Sequence, residues 1–316
     1  MSDVMLPVQQ AMAEAADYAK QALAPNTRAA YRADWADFIA WCQRHDQEPL
    51  PAMPETVAAY LASMARTHSP ATMRRRLVAF GQAHKLAKVE WVPGHPVVRA
   101  TLRGILRKHG RPIRKAAALG TAELKRLVAT CDGTMSGVRD RAMMLLAYAG
   151  ALRRSELAAV QREHLTFTAE GMRLMIPRAK SDQTGEGVEL GIPRGTKPET
   201  CPVKAMEAWL RASDCQYGPV FRKINASGTI ELTALHPYSV PNILSRHFVA
   251  AGLSASGYER LSSHGLRAGF VTEAYKAGAR DEEIMSHTRH RDLKTMRGYV
   301  RRAKLLTESP VKKLGL

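Results

Sequence analysis

The stretch "RATLRGILRKHGRPIRK", from Arg99 to Lys115, constrains the fold more than any other. It carries Arg99, Arg103, Arg107, Lys108, Arg111, Arg114 and Lys115 with no acidic residue, and Gly110 and Pro112 interrupt its helical rhythm. Glycine adds backbone entropy and proline lacks the amide hydrogen, so the pair stops a helix. The segment 108–118 therefore reads as a basic linker, which divides the 316 residues into a piece covering 1–107 and a larger one covering 119–316. Each is of ordinary domain size. The basic charge suggests a linker laid along a polyanion, and a plain solvated tether is the bland alternative.

The whole chain shares that bias: 47 Lys plus Arg against 29 Asp plus Glu leave a net charge of +18, which makes nucleic acid the first partner to consider. Apolar residues come in interrupted helical rhythm, without a run of the roughly 18–20 needed to span a membrane. The opening "MSDVMLPVQQ" does not read as a signal peptide. Cys42, Cys131, Cys201 and Cys215 lie far apart, so neither a zinc ribbon nor a disulfide framework is suggested, and a reducing cytoplasm fits best.

Helical signals dominate both pieces. In "APNTRAAYRADWADFIAWCQRH", Asn26 or Thr27 is placed to cap a helix whose Tyr31, Trp35, Phe38 and Cys42 recur at spacings of three and four. In "HSPATMRRRLVAFGQAHK", Ser69 caps, Pro70 takes the first turn, and Met73, Leu77 and Phe80 form the buried stripe, with Arg74, Arg75 and Arg76 expected on the other side. Such a triplet is commonly a solvated helix face, and the excess of positive charge makes phosphate contact an equal reading. Beyond the linker, Thr121 is placed to cap "TAELKRLVATC", and "SGVRDRAMMLLAYAGA" is apolar enough for a buried helix. "RLMIPRAK" and "GVELGIP" alternate, predicting a two-stranded hairpin of Leu174 to Ile176 and Val188 to Ile192, after which helical rhythm resumes from Cys201 onward. The predicted fold class is mainly α, with a helical N-terminal domain and a mostly helical C-terminal domain holding a small antiparallel sheet.

Cleaving a phosphodiester needs a nucleophile, an acid for the leaving oxygen, and fixed positive donors for the non-bridging oxygens. Four clusters offer these groups. In "GALRRSELAAV", Arg153 and Glu156 are three apart, so the carboxylate can orient the guanidinium; taken alone, this is more often a surface ion pair. Lys180 in "RAKSDQTGEG" stands at the mouth of the hairpin, where a lysine by itself means little. "SHGLRAGF" places His264 and Arg267 three apart. Finally, "IMSHTRHRDLKTMRGYVRR" sets His287 and His290 upstream of Tyr299, although a lone tyrosine is usually a packing residue. The two histidines, three apart, could instead be a metal pair, but no third ligand of suitable spacing stands near.

Taken together the clusters resemble the tyrosine recombinase, or phage integrase, family, whose signature is an Arg in "LR-x-S-E-L", a hairpin Lys, His-x-x-Arg, a second His or Trp, and a Tyr. Leu152, Arg153, Ser155, Glu156 and Leu157 match the first box, Lys180 the second, His264 and Arg267 the third, and Tyr299 the last. The family's second histidine precedes the tyrosine by nine residues, which selects His290 over His287 (299 − 9 = 290). One departure is Arg289, where the family usually has glycine. "NTRAAYRADWADFIAWC" and "SPATMRRRLVAF" are similar to the helical core-binding (SAM-like) domain of the same family, so the resemblance covers roughly residues 20–305.

The resemblance implies a site-specific DNA recombinase that clamps duplex DNA between two domains and cleaves it through a 3′-phosphotyrosyl bond to Tyr299. Arg153 and Arg267 would hold the non-bridging oxygens, His264 and His290 would assist, Lys180 would protonate the leaving 5′-oxygen, and Glu156 would orient. Arg74, Arg75, Arg76, Arg107, Lys108 and Arg111 are the candidate DNA contacts. No cofactor and no metal are expected. The family arrangement further implies a homotetramer on two DNA sites, room for an accessory DNA-binding protein, a cytoplasmic, nucleoid-associated location, and a tail "AKLLTESPVKKLGL" docked as a helix on a neighbour. A type IB topoisomerase, or a non-catalytic DNA-binding protein on the same scaffold, stands as the alternative.

Overall fold

The computed structural model describes residues 7–91, 93–112, 114–177, 186–255, 257, 259–304 and 309–314, with the side chains of 20 and 301–304 left aside. It contains two compact units, Met1–Pro112 and Ile113–Leu316. The division falls inside the basic segment expected to be a linker.

The first unit consists of α1 (Val8–Gln21), α2 (Pro25–Arg44), α3 (Pro54–Ser63), α4 (Pro70–Ala87) and α5 (Pro96–His109). Its core joins Phe38 and Cys42 of α2, Val57, Tyr60 and Leu61 of α3, Met73 and Phe80 of α4, and Val98 of α5. The expected stripes are present, with Trp35 and Leu77 half-buried at their edges. Ser69 caps α4 by accepting a bond from the Thr72 amide at 3.2 Å. The start of α2 differs from the expected cap at Asn26 or Thr27: the helix begins at Pro25, whose fixed φ suits a first turn and whose missing N–H would be orphaned there anyway.

Arg76 is a second correction. It lies three residues after Met73 and four before Phe80, which places it on the core stripe rather than the outer face, and it is buried. Its guanidinium donates to Asp37 and to the Tyr60 hydroxyl. Arg75 grips the buried Asp34 bidentately, through Nε at 2.7 Å and Nη2 at 2.9 Å. Buried carboxylates need such partners, so two of the three arginines are engaged within the fold, while Arg74 is exposed.

In the second unit, β1 (Lys115–Ala116) precedes α6 (Thr121–Ala129), α7 (Met135–Ala149) and α8 (Arg154–Ala158). Then come β2 (Leu165–Phe167), β3 (Gly171–Ile176), β4 (Val188–Pro193), α9 (Pro202–Ala212), β5 (Arg222–Ile224) and β6 (Ile230–Ala234). The unit closes with α10 (Ser239–Ala250), β7 (Glu259–Arg260), α11 (His264–Lys276), α12 (Asp281–Thr288) and α13 (Leu293–Lys304). Helix α7 is the centre of the core, buried from Ala142 to Tyr148 and packed against α9, whose Trp209 donates to the Val220 carbonyl at 2.8 Å. Strands β3 and β4 form the expected antiparallel pair, Leu174 opposite Leu190, with Met172, Leu174 and Ile176 facing inward. β2 extends it to three strands, and β5 with β6 adds a pair where helix was expected. β2 and β5, three residues each, are too short to reveal a period of two, whereas Ile230–Ala234 of β6 does alternate.

Two further expectations are corrected. α6 is capped by Gly120, whose amide bonds to the Glu123 carboxylate at 2.8 Å, so Thr121 is its first helical residue. The linker's second half is no free tether: β1 pairs in parallel with β7, and Ala117 and Leu119 are buried against α11. There the backbone comes so close that a Cβ at Gly269 would lie 1.6 Å from the Leu119 oxygen, and one at Gly265 2.6 Å from the Ala117 oxygen. Only glycine fits at either place. Residues 305–308 and 315–316 of the expected tail helix lie outside the described residues, and Pro310–Leu314 form a short exposed 3-10 turn.

Candidate active site

The docked 117–119 segment holds α11 in place, and α11 supplies two of the expected residues. His264 is exposed at its first turn, whereas Arg267, one turn on, is buried. Arg267 Nη1 donates to the Ala151 carbonyl at 2.6 Å and Nη2 to the Thr288 carbonyl. It thereby ties the loop before α8 to the end of α12.

That loop turns sharply, with Ala151 at φ +45°, a left-handed conformation unusual for alanine. Such residues cost of order 1–3 kcal/mol each and persist only where their surroundings hold them. Arg153 follows as the N-cap residue of α8, and Glu156, in the first turn, bonds the Arg153 amide at 3.0 Å and its Nη1 at 2.7 Å. The ion pair expected from the spacing is present, but it is no surface pair. Glu156 is buried, and the Arg153 side chain keeps 23% of its exposure. Glu156 also meets a second buried partner, the Arg289 that departs from the family's glycine: its Nη2 lies 3.0 Å from Oε2, a pairing that no spacing indicates.

Arg289 ends α12 at φ +57°, the left-handed region that suits glycine. His290 follows, its Nδ1 2.6 Å from the Thr288 hydroxyl. His287 goes elsewhere: its Nε2 donates to the Ala149 carbonyl at 2.7 Å and its ring stacks on Phe270. The two histidines thus point to different partners. α13 lies against α11 and α12 through the buried Met296 and Val300, which form a small core with Val271 and Ile284. Tyr299, three residues from Met296, is half-buried beside them. Its hydroxyl is 2.5 Å from His264 Nε2, and its ring centroid is 6.1 Å from that of His290.

Arg153, His264, Arg267, His290, Tyr299 and Glu156 therefore come together, built from the loop before α8, from α8 itself, the first turn of α11, the turn after α12 and the middle of α13. Lys180 lies outside the described residues. Arg107 and Lys108 sit in the exposed last turn of α5 and Arg111 is exposed just beyond it. Among the described residues no group of three His, Cys, Asp or Glu side chains is arranged to hold a metal.

Charge is the site's main property. Three guanidiniums, Arg153, Arg267 and Arg289, surround one carboxylate, which leaves excess positive charge in a mostly dry setting. Burial, then Arg153 and Arg289, push the Arg267 guanidinium down to about 9, which leaves it charged at neutral pH. Burial pushes the Glu156 carboxyl up, but the charges of Arg289 and Arg153 and the bonds from Arg153 outweigh it and keep it below the usual carboxylate range. Burial, followed by Arg267 and Arg153, lowers His290 to about 4, so its ring is neutral at pH 7. Such clustering of charge, with one wall exposed, suits a dianionic or phosphodiester guest.

His290 carries a prediction. Its folded pKa is depressed, so between pH 6.5 and about 4 the unfolded chain binds a proton that the folded site refuses. Stability is full above 6.5 and falls as the pH drops. From pH 7 to pH 5 the loss is expected to be on the order of 1–2 kcal/mol. Urea unfolding of wild type and His290→Gln at both pH values measures it: the variant should lose less, and equal losses would remove His290 as the cause.

A model of the phage integrase family matches residues 117–305, more than half of the chain. The chain belongs to that family. A relative from Selenomonas ruminantium, described as an integrase/recombinase xerD homolog, is 33% identical to this tyrosine recombinase over 295 residues, 92% of this chain and 86% of the relative. The fold is that of lambda integrase (residues 75–356) bound to DNA, with a TM-score of 0.62 at 17% identity, covering 93% of this chain and 94% of that one. A lambda integrase tetramer bound to a Holliday junction gives 0.59 at 16% identity, covering 94% and 78%. The family match begins just past β1 and includes the docked linker end from Ala117 and all of the candidate site. No helix among the described residues of this tyrosine recombinase is long and apolar enough to cross a membrane.

Proposed function

We propose that this chain, a site-specific DNA recombinase by family, cleaves DNA with Tyr299 and rejoins it through a 3′-phosphotyrosyl bond. The observation that carries the reading is the Tyr299 hydroxyl at 2.5 Å from His264 Nε2, beside the excess positive charge of the arginine cluster. The Tyr299 oxygen forms a bond to phosphorus, the bond from phosphorus to the 5′-oxygen breaks with its electron pair on that oxygen, and the tyrosine proton passes to His264. Arg153 and Arg267 hold the non-bridging oxygens, and neutral His290, its Nδ1–H taken by the Thr288 hydroxyl and its ring beside that of Tyr299, assists through the bare Nε2 as an acceptor. Lys180 gives the 5′-oxygen its proton, and Glu156 orients Arg153. A free 5′-hydroxyl of a second strand then attacks the phosphotyrosine, which conserves the bond energy without a nucleotide cofactor or divalent metal.

The partner is double-stranded DNA carrying specific sites. We extend to this chain a tetramer on two sites, on the pattern of the lambda integrase tetramer, with room for an accessory DNA-binding protein. The reaction serves integration, excision or resolution of a mobile element, in the cytoplasm at the nucleoid. The relative described as an integrase/recombinase favours strand exchange over topoisomerase-like relaxation. The test uses sites selected from a random-sequence pool, placed as a pair on one supercoiled plasmid, in EDTA. Exchanged products support the reading, and relaxation without exchange overturns it.

DNA contact is assigned to Arg74, Arg75, Arg107, Lys108 and Arg111, which are exposed. Arg75, exposed although paired with Asp34, stays in that set, and Arg76 is withdrawn because it is buried and engaged by Asp37 and Tyr60. Replacing Arg107, Lys108 and Arg111 together by Ala is expected to weaken specific and random DNA about equally. It should also flatten the slope of log affinity against log salt by roughly 2–3, the release from three phosphates. Loss confined to specific DNA, in a salt titration by fluorescence anisotropy, would mean that these side chains read bases.

A further inference from the structure

We propose that Arg289 is a positioning residue: by occupying one oxygen of Glu156 it keeps that carboxylate from capturing Arg153 bidentately, and so leaves Arg153 turned toward the phosphate. The inference rests on the reading of Arg153 as a phosphate ligand. Its basis is how the two oxygens of Glu156 are shared. Oε1 takes only Arg153 Nη1, at 2.7 Å, in the bonds described above, while Oε2 takes the Arg153 amide and Arg289 Nη2, each at 3.0 Å. A carboxylate and a guanidinium left alone prefer two parallel bonds. Here Oε2 is already held by a different guanidinium, so the side chain of Arg153 meets Glu156 through one nitrogen and keeps partial exposure.

Arg289 is held firmly enough for that task. Its Nη1 donates to the carbonyls of His287 at 2.8 Å and Gly150 at 3.2 Å, and its Nη2 to those of Gly150 at 3.2 Å and Ala151 at 3.1 Å. The Ala151 oxygen is the one that Arg267 also grips. The loop that delivers Arg153 is thus fastened to the end of α12 by two arginines. Arg289 keeps a left-handed backbone in which glycine would be more comfortable, and the bonds of its side chain account for its persistence there. Among the charges acting on Glu156, that of Arg289 is the largest in holding it ionised.

The test is a cycle of Arg289→Gly, Glu156→Gln and the double variant, read as single-turnover adduct formation at saturating DNA alongside DNA affinity. Glycine suits the left-handed turn, so Arg289→Gly keeps the backbone while removing the competing guanidinium from Oε2 and leaving the Arg153 amide there. Its cleavage rate is expected to fall roughly 10- to 100-fold with affinity changed less than about twofold, the range of a lost positioning contact. Adding Glu156→Gln weakens the carboxylate's grip on Arg153, so the double variant should cleave faster than Arg289→Gly alone. A merely structural Arg289 would give losses that multiply, and that result, or a wild-type rate in Arg289→Gly, overturns the proposal. Should the glycine variant not fold, Arg289→Lys and Arg289→Met decide: lysine keeps a cation on Oε2 and should stay within about fivefold of wild type, while methionine should lose the full factor. Equal rates for these two overturn it as well. If the wild type itself forms no adduct, the catalytic reading falls and this one with it; if the wild type cleaves and the cycle is additive, only this one falls.

Discussion

Tyr299→Phe is expected to bind its DNA site with unchanged affinity and to form no covalent adduct on a nicked suicide duplex, a loss on the order of 10,000-fold or more in cleavage. The phenyl ring keeps the packing beside Met296 and Val300, so the helix that carries it stays seated. What disappears is the hydroxyl at 2.5 Å from His264 Nε2, the oxygen that attacks phosphorus in the proposed reaction. The stability change should be small, about 1 kcal/mol for one hydrogen bond. Thermal melting separates that from loss of chemistry. An adduct at wild-type yield would remove Tyr299 as the nucleophile.

Arg153→Ala is the second large effect, expected at roughly 100- to 1,000-fold because it removes fixed charge from the non-bridging oxygens. Comparison with Lys180→Ala gives the result its meaning. A substrate with sulfur in the 5′-bridging position has a leaving group that needs no proton. Lys180→Ala, slow on the oxygen substrate by roughly 100- to 10,000-fold, should approach wild type on sulfur, while Arg153→Ala stays impaired on both. If sulfur fails to rescue Lys180→Ala, that lysine contacts phosphate or base and the leaving-group acid lies elsewhere. If sulfur rescues Arg153→Ala, the arginine is not acting on the non-bridging oxygens. Arg153→Ala also leaves the buried Glu156 with Arg289 as its charged partner, so a modest fall in stability should accompany the loss of rate.

Much of this architecture was legible in the sequence because helices and one long hairpin advertise their periods. Met73, Leu77 and Phe80 gave a stripe, and the alternation around Leu174 and Leu190 gave a sheet. The same periodicity, three from Met73 and four from Phe80, puts Arg76 on the core side, but the buried Asp34 and the hydroxyl of Tyr60 that receive its charge are distant in the chain. Strands of two or three residues such as β1, β5 and β7 carry too few alternations to be seen. The docking of residues 117–119 onto α11 depends on a backbone contact at Gly265 and Gly269, which no pattern of side chains announces.

The site was legible as a set of spacings, and the spacing to Tyr299 separated His290 from His287 before any geometry was known. Geometry adds the reason: His287 is engaged by the Ala149 carbonyl and Phe270, while His290 stands beside the tyrosine ring. Arg289 stands in the sequence as a departure from glycine, but spacing does not show its task. A left-handed turn and a carboxylate 133 residues upstream meet only in three dimensions. A signal did exist in hindsight: a long cation in a slot where glycine is comfortable implies something buried to hold it.

The most direct measurement is the identity of the residue that carries the DNA. Wild-type protein trapped on a nicked duplex, digested with trypsin and nuclease and read by mass spectrometry, should yield the peptide Gly298–Arg301 with a nucleotide esterified through its 3′-phosphate to Tyr299. A 3′-nucleotide on any other peptide, or a 5′-linked one on this peptide, would contradict the account.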